Sequence, residues 1–285
     1  MTSRANQNAE PSDALAKSAA PAAPAADNRH KLTVEGLSLR FGGIVALDDL
    51  TFGVSRDVIC GLIGPNGAGK TSLFNCISRL YNPSSGRIRY EGSDITGLKA
   101  RDIAALGIAR TFQNLALMRS LTVLENVMLG GHHHGRTGFI RAALVPTRFR
   151  PEEEALRRTS LEILEHLELD DLAHERVDSL SYPTQKKIEL ARALASRPTF
   201  LMLDEPAGGL SHSEVDDLSR MLQRIRQELS LTLLLVEHHM GMVMNISNEI
   251  VVLDFGHMIA SGTPETVKSD PRVIEAYLGK RRERA

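Results

Sequence analysis

One segment constrains this chain more than any other. The apolar run Val58-Ile59-Cys60-Gly61-Leu62-Ile63 leads straight into Gly64-Pro65-Asn66-Gly67-Ala68-Gly69-Lys70-Thr71-Ser72, after which Leu73, Phe74, Ile77 and Leu80 recur at helical spacing. The order is buried strand, glycine loop, helix. Gly64 to Thr71 fits GxxxxGK[ST], in which glycines let successive backbone N–H groups turn inward around phosphate oxygens with no Cβ in the way. Lys70 would reach the β- and γ-phosphates. The Thr71 hydroxyl would sit on Mg²⁺, and the following helix would aim its positive dipole end at the bound anion. Gly64, Pro65, Asn66, Gly67, Ala68, Gly69, Lys70, Thr71 and Ser72 are therefore the candidate contacts for a nucleotide.

A second apolar run, Phe200-Leu201-Met202-Leu203, ends in Asp204-Glu205-Pro206. Open α/β sheets present their ligand-binding groups at such strand ends. Asp204 would hold Mg²⁺ through water, and Glu205 is placed to polarise the attacking water for in-line displacement at a γ-phosphate. His238 follows the run Leu233 to Val236, which brings it to the same edge, within reach of the γ-phosphate or the attacking water. The candidate catalytic set is Lys70, Glu205 and His238.

The remaining runs organise the chain around these motifs. Leu32 to Leu39 and Leu50 to Val54 read as an N-terminal β part, and Leu231 to Val236 and Ile250 to Leu253 as further strands. A helical pattern around Glu214 to Glu228 separates two of them, which favours an α/β fold with a mainly parallel sheet, as in a P-loop NTPase core. Asp254-Phe255-Gly256-His257 looks like a hairpin turn. The polar stretch from about Arg101 to Asp178 carries Leu156, Ile163, Leu164 and Leu167 on one helical face, and is expected to form a helical subdomain. Residues 1–29, rich in Ala and Pro without periodicity, are expected to be a disordered tail, and 280–285 a basic tail. The domain is expected to span 30–279. His132-His133-His134 reads as a solvated loop rather than a metal site.

Charge and cysteine content narrow the partners. Lys plus Arg number 34 and Asp plus Glu 35, so no net field recruits nucleic acid or an anionic membrane. No apolar run approaches the roughly 20 residues that cross a bilayer, and the first residues lack the apolar core of a signal peptide. Two cysteines, Cys60 and Cys76, suit a reducing cytoplasm.

Taken together, the phosphate loop, Gln113 in Arg110-Thr111-Phe112-Gln113-Asn114, Leu180-Ser181 before a basic helix, Leu203-Asp204-Glu205-Pro206 and His238 resemble the ABC ATPase family over about Lys31 to Gly279. That resemblance implies ATP and Mg²⁺ as ligands and makes Gln113 a sensor of metal and γ-phosphate that couples to a permease. It further implies that Phe41 stacks on adenine and that Ser181 touches ATP held by the opposite subunit. More narrowly, Phe41-Gly42-Gly43, Thr122-Val123-Leu124-Glu125-Asn126-Val127, Val236-Glu237-His238 and Val273-Ile274-Glu275-Ala276-Tyr277-Leu278-Gly279 are similar to the ATPase subunits of branched-chain, or hydrophobic, amino-acid importers. Such a chain would lie peripherally on the cytoplasmic face of the inner membrane. Its partners would be permease subunits, a second related ATPase chain and, indirectly, a periplasmic binding protein.

The departure from the family lies in Leu180-Ser181-Tyr182-Pro183-Thr184-Gln185, where Leu-Ser-Gly-Gly-Gln or Leu-Ser-Tyr-Gly-Gln is usual. Pro183 stands at the second glycine and has no N–H for the partner's γ-phosphate; Thr184 replaces the glutamine. Either the dimer is asymmetric, with this signature completing the weaker site, or the helix start shifts to restore the contact. His239 stands where an acid is frequent, and Ala207 to His212 forms the loop linking the two sites. The competing function is an ABC-type ATPase of DNA repair or translation, without a permease. Neither a long coiled-coil insertion, nor a cysteine hook, nor a tandem ATPase domain is present to support it.

Overall fold

A computed structural model describes residues 29–111, 116–131 and 150–278. The chain opens with β1 (His30–Phe41), β2 (Ile44–Ser55) and β3 (Ile59–Ile63), followed by α1 (Lys70–Ile77), β4 (Ser85–Tyr90), β5 (Ser93–Asp94), α2 (Ala100–Ala105) and β6 (Ile108–Arg110). A helical stretch follows with α3 (Val123–Gly131), α4 (Arg150–His166) and α5 (Tyr182–Leu194). The second half alternates β7 (Phe200–Asp204), α6 (His212–Glu228), β8 (Thr232–Val236), α7 (Met240–Ile246), β9 (Glu249–Asp254) and β10 (His257–Gly262), then closes with α8 (Pro264–Ser269) and α9 (Pro271–Leu278).

Two sheets result. A four-stranded antiparallel sheet has the order β2-β1-β4-β5, and a six-stranded sheet has the order β10-β9-β3-β8-β7-β6. In the larger one, β9, β3, β8, β7 and β6 are parallel and β10 returns antiparallel through the hairpin at Asp254 to His257. Strands β3, β7 and β8 are buried at every residue, which is why they read as unbroken apolar runs. Alternate side chains serve opposite faces. Leu201, Leu203, Leu233 and Leu235 pack with α3 to α6, whereas Phe200, Met202, Leu234 and Val236 pack with α1 and the antiparallel sheet.

Two expectations need correcting. The stretch from about 101 to 178 is not helical throughout, because after α2 the segment Ile108–Arg110 pairs with Phe200–Met202 as an edge strand of the main sheet. Three residues carry too little periodicity to announce themselves, yet backbone pairing to a buried strand satisfies their polar groups. Leu80 also lies outside the first helix, since Arg79 turns left-handed (φ 58) and ends it; Leu80 is left exposed. The expected tails at 1–29 and 280–285 and the histidine run at 132–134 fall outside the described residues, except Arg29. Among the described residues no helix is long and apolar enough to cross a membrane.

Both cysteines are buried. Burial raises the Cys60 thiol well above its ordinary value and pushes Cys76 up to about 11. At pH 8 that leaves Cys76 with about 100-fold less thiolate than an ordinary cysteine. Iodoacetamide should therefore leave the folded chain unlabelled at both positions and label both only in denaturant, as read by intact mass.

Candidate active site

The register of the parallel strands builds the site. Leu62 lies beside Val236 and Asp204 lies beside Val236, so β3, β8 and β7 end level with one another. Gly64 and Glu205 follow those ends directly and His238 follows one residue later, which puts the phosphate loop, the carboxylates and the histidine along one edge.

The phosphate loop is tightly specified. Gly64 has φ 153, and a Cβ there would stand 2.1 Å from the Leu253 carbonyl oxygen on β9. Gly69, left-handed at φ 101, caps α1 where a Cβ would meet the Ala46 carbonyl oxygen at 2.7 Å. No other residue type fits either place without moving a strand. Lys70 is 7% exposed and donates to the carbonyls of Gly64 (2.7 Å) and Pro65 (3.0 Å). Burial lowers its pKa, and the charges of Glu205 and Asp204 act in the opposite sense. Thr71 is exposed and Ser72 half-buried beside it in the first turn of α1.

Asp204 is nearly buried and paired with Arg110, whose guanidinium donates to Oδ2 at 2.8 Å. The same guanidinium donates to Asn75 Oδ1 at 2.7 Å and lies over the Phe74 ring at 5.3 Å, which ties β6 and β7 to α1. Thr111 caps the arrangement by accepting from the Asp204 N–H at 3.4 Å. Arg110 is a site residue that sequence reasoning quoted only as part of a string. Its pairing needs the β6–β7 contact, which spans 94 residues of sequence.

Glu205 turns out of β7 in the left-handed region (φ 50), held there by its own N–H donating to Val236 O at 2.9 Å. Its Oε1 lies 2.7 Å from His238 Nε2. Phe41 is 46% exposed at the end of β1, with Tyr81 edge-on at 5.2 Å, so the exposed aromatic is a pair rather than one ring. Ser181 caps α5, accepting from the Thr184 N–H at 3.4 Å. It stands with its own helix rather than with the phosphate loop. Tyr182, the next residue, donates to Gly208 O at 3.2 Å and so anchors α5 to the loop after Glu205. Gln113 lies outside the described residues.

Tyr277 on α9 is a second residue whose part in the site went unrecognised. Desolvation of its hydroxyl, opposed by the nearby Gly64 backbone, pushes its pKa up to about 12, while the residue as a whole stays 37% exposed. The C-terminal helix thus reaches the phosphate loop.

Comparison with known proteins decides the family. The family described as ABC transporter matches residues 47–208, and the one described as branched-chain amino acid ATP-binding cassette transporter matches residues 257–283. The chain belongs to the ABC transporter ATP-binding family. It is an ATPase of that family, and nucleotide is its ligand. It is 41% identical to the high-affinity branched-chain amino acid transport ATP-binding protein BraF of Pseudomonas aeruginosa, over 88% of this chain and 99% of that one. It is 40% identical to LivG of Escherichia coli, a protein of the same description, over 87% and 97%. Among solved structures, an ATP-binding cassette of an ABC transporter in its ADP conformation superposes with a TM-score of 0.77 at 30% identity, covering 88% of this chain and 99% of that one. A nucleotide-free cassette gives 0.76 at the same identity, covering 87% and 98%. These relatives are transport proteins, so an ABC ATPase of DNA repair or translation is not favoured.

Replacing Arg110 with Ala would leave the Asp204 carboxylate buried without its guanidinium. Such an orphaned charge costs about 3–5 kcal/mol. In the absence of nucleotide, Arg110→Ala should lower the free energy of unfolding by that amount, read as a lower denaturant midpoint at an unchanged m-value.

Proposed function

We propose that this chain couples MgATP hydrolysis to the uptake of branched-chain or other hydrophobic amino acids, as the ATPase subunit of an importer. The observation that carries the catalytic part is the contact of Glu205 with His238 at 2.7 Å, on the same sheet edge as the Lys70 loop. In this reading Lys70 leaves the Gly64 and Pro65 carbonyls for the β- and γ-phosphates, and the N–H groups of the loop and of α1 surround the phosphate oxygens. Phe41, with Tyr81 behind it, stacks on adenine. Glu205 orients the attacking water and takes up its proton as oxygen bonds to the γ-phosphorus and the bond to ADP breaks. His238 holds Glu205 before ATP arrives and the γ-phosphate or water afterwards.

The oxygens at this edge suit Mg²⁺. The Thr71 hydroxyl and the Asp204 carboxylate are hard donors, and Asp204 commits Oδ2 to Arg110, which leaves the carboxylate one further oxygen for a metal-bound water. Gln113 completes the set. Mg²⁺ would neutralise charge on the β- and γ-phosphates.

Cargo and partners rest on relatedness. The relatives named above are transport ATP-binding proteins for branched-chain amino acids, and the match at residues 257–283 is to a family of the same cargo. Permease subunits would receive the motion, and a periplasmic binding protein would select the solute. The chain would sit on the cytoplasmic face of the inner membrane.

The second ATPase chain is proposed to differ from this one. Ser181 caps α5 and Pro183 occupies its first turn, where a proline costs the helix nothing because that N–H has no intrahelical acceptor. The helix therefore starts normally, yet one of the amides that would face a partner's γ-phosphate is missing. A charge-assisted hydrogen bond of this kind is worth about 1.5–3 kcal/mol. The site built on this chain's Lys70, Asp204 and Glu205 would be closed by an intact signature on a different partner.

Two measurements test the reading. Glu205→Gln should still bind ATP and lose turnover by about 100-fold or more; unchanged turnover would remove Glu205 from its role. In the intact membrane complex, ATPase activity should rise when the binding protein carries leucine, and the isolated chain should turn over ATP well below the complex. Stimulation by an unrelated solute alone would refute the cargo, and equal rates would refute the asymmetric pair.

A further inference from the structure

Glu237 lies between β8 and His238 and is 2% exposed. Nothing in the chemistry assigned above uses it. Its carboxylate nevertheless accepts from three backbone N–H groups on two separate segments. Oε1 takes the Ala207 N–H at 2.6 Å, from the loop that follows Glu205, and Oε2 takes those of His238 at 2.9 Å and His239 at 3.3 Å. The two oxygens of one buried side chain therefore hold the two backbone stretches that carry Glu205 and His238.

Those stretches need such support. Glu205 sits at φ 50, a conformation that costs a non-glycine residue on the order of 1 kcal/mol or more. Glu205 and His238 meet through long side chains on different loops, and the two side chains are partly exposed, so their contact alone does not fix the backbones beneath them. The Glu205 N–H bond to Val236 O anchors one end of the first loop, and Ala207 is the next point at which it is tied to the neighbouring strand's exit. A buried carboxylate with several N–H donors makes stronger, shorter bonds than a neutral acceptor would.

We propose that Glu237 is a positioning residue for hydrolysis, a clamp that sets Glu205 and His238 at their working separation by fixing Ala207 with one oxygen and His238–His239 with the other. The inference rests on the assignment of Glu205 and His238 to hydrolysis under the function proposed above. It also accounts for an acidic side chain in a buried position where an apolar one would cost less to desolvate. A glutamine cannot substitute. Whichever way its amide is turned, the NH₂ group faces an N–H donor, and one side of the clamp opens.

Glu237→Gln and Glu237→Asp would be compared with wild type in the full transporter, by ATP binding, ATP turnover and amide hydrogen exchange. Glu237→Gln should keep its affinity for ATP within about threefold and lose about 10- to 100-fold in turnover, the range that loss of near-attack geometry commands. Glu237→Asp, which retains both oxygens, should recover part of that loss. Exchange should quicken on the side of the clamp that opens in Glu237→Gln, either at Ala207 or at His238 and His239, while the strands stay protected. Wild-type turnover in Glu237→Gln, or a parallel loss of ATP binding and turnover in both variants, would overturn the positioning role. Exchange reads the clamp apart from catalysis. A wild-type complex without turnover would sink the proposed function while leaving the clamp standing, whereas unchanged exchange in Glu237→Gln would sink the clamp whatever the turnover.

Discussion

Lys70 puts an ammonium group inside the protein, and the carboxyl edge of the sheet is arranged around that charge. An unpaired buried ammonium would be costly enough to lose its proton. Here two loop carbonyls accept from it directly and two carboxylates, Glu205 and Asp204, act on it through space. The carbonyls can be given up and the carboxylates cannot, because Asp204 and Glu205 are fixed at the end of a strand. Under the proposed function the lysine would exchange these local partners for an arriving polyphosphate while the acidic background stays in place. Under the same proposal a divalent cation would offset that background, since phosphate oxygens brought near Asp204 and Glu205 would otherwise meet like charge.

The same edge explains why the antiparallel sheet cannot be detached from the rest. A Cβ on Gly69 would strike the Ala46 carbonyl, and one on Gly256 would approach Ala46 and Leu47, so β2 passes across both the start of α1 and the β9–β10 turn. Asp48 donates its N–H to Gly256 O at 2.9 Å, which closes that contact. The hairpin that carries Phe41 is thereby held beside the phosphate loop by backbone close approach as well as by side-chain packing. The close approach at Gly64 does the same for β9. Substituting either glycine would move a strand before it touched a ligand.

How much of this was legible in the sequence depended on whether the signal was local. The loop from Gly64 to Ser72, the strands β3, β7 and β8 and the hairpin at Asp254 to His257 are continuous in sequence, and each reads correctly because burial on both faces leaves an unbroken apolar run. Asp204, Glu205 and His238 stand at one sheet edge for the same reason: each ends or closely follows such a run. What escaped was made by register. Arg110 meets Asp204 only because a three-residue strand pairs beside β7, and Ala207 meets Glu237 only because β7 and β8 end level. Tyr277 reaches Gly64 from near the far end of the chain. A carboxylate next to a histidine reads as a polar loop until the second segment it binds is in view.

The signature segment shows how a departure can be harmless to the fold and still matter to the site. At the start of α5 the Ser181 side chain already meets the Thr184 N–H, and Pro183 lacks an N–H that the helix could not have used. Stability therefore exerts no pressure against proline at this position. In the proposed asymmetric pair, the acceptor that the Pro183 amide would have served is on a nucleotide bound to another subunit. Meanwhile Tyr182 ties the same helix start to Gly208, one residue from the amide that Glu237 holds. Through Tyr182 the start of α5 is thus joined to the loop that carries this chain's own Glu205, and Glu237 holds the same loop one residue earlier. A weakened signature would then alter the partner's site directly and reach this chain's hydrolytic pair only through that loop, which is the arrangement an asymmetric pair of sites requires.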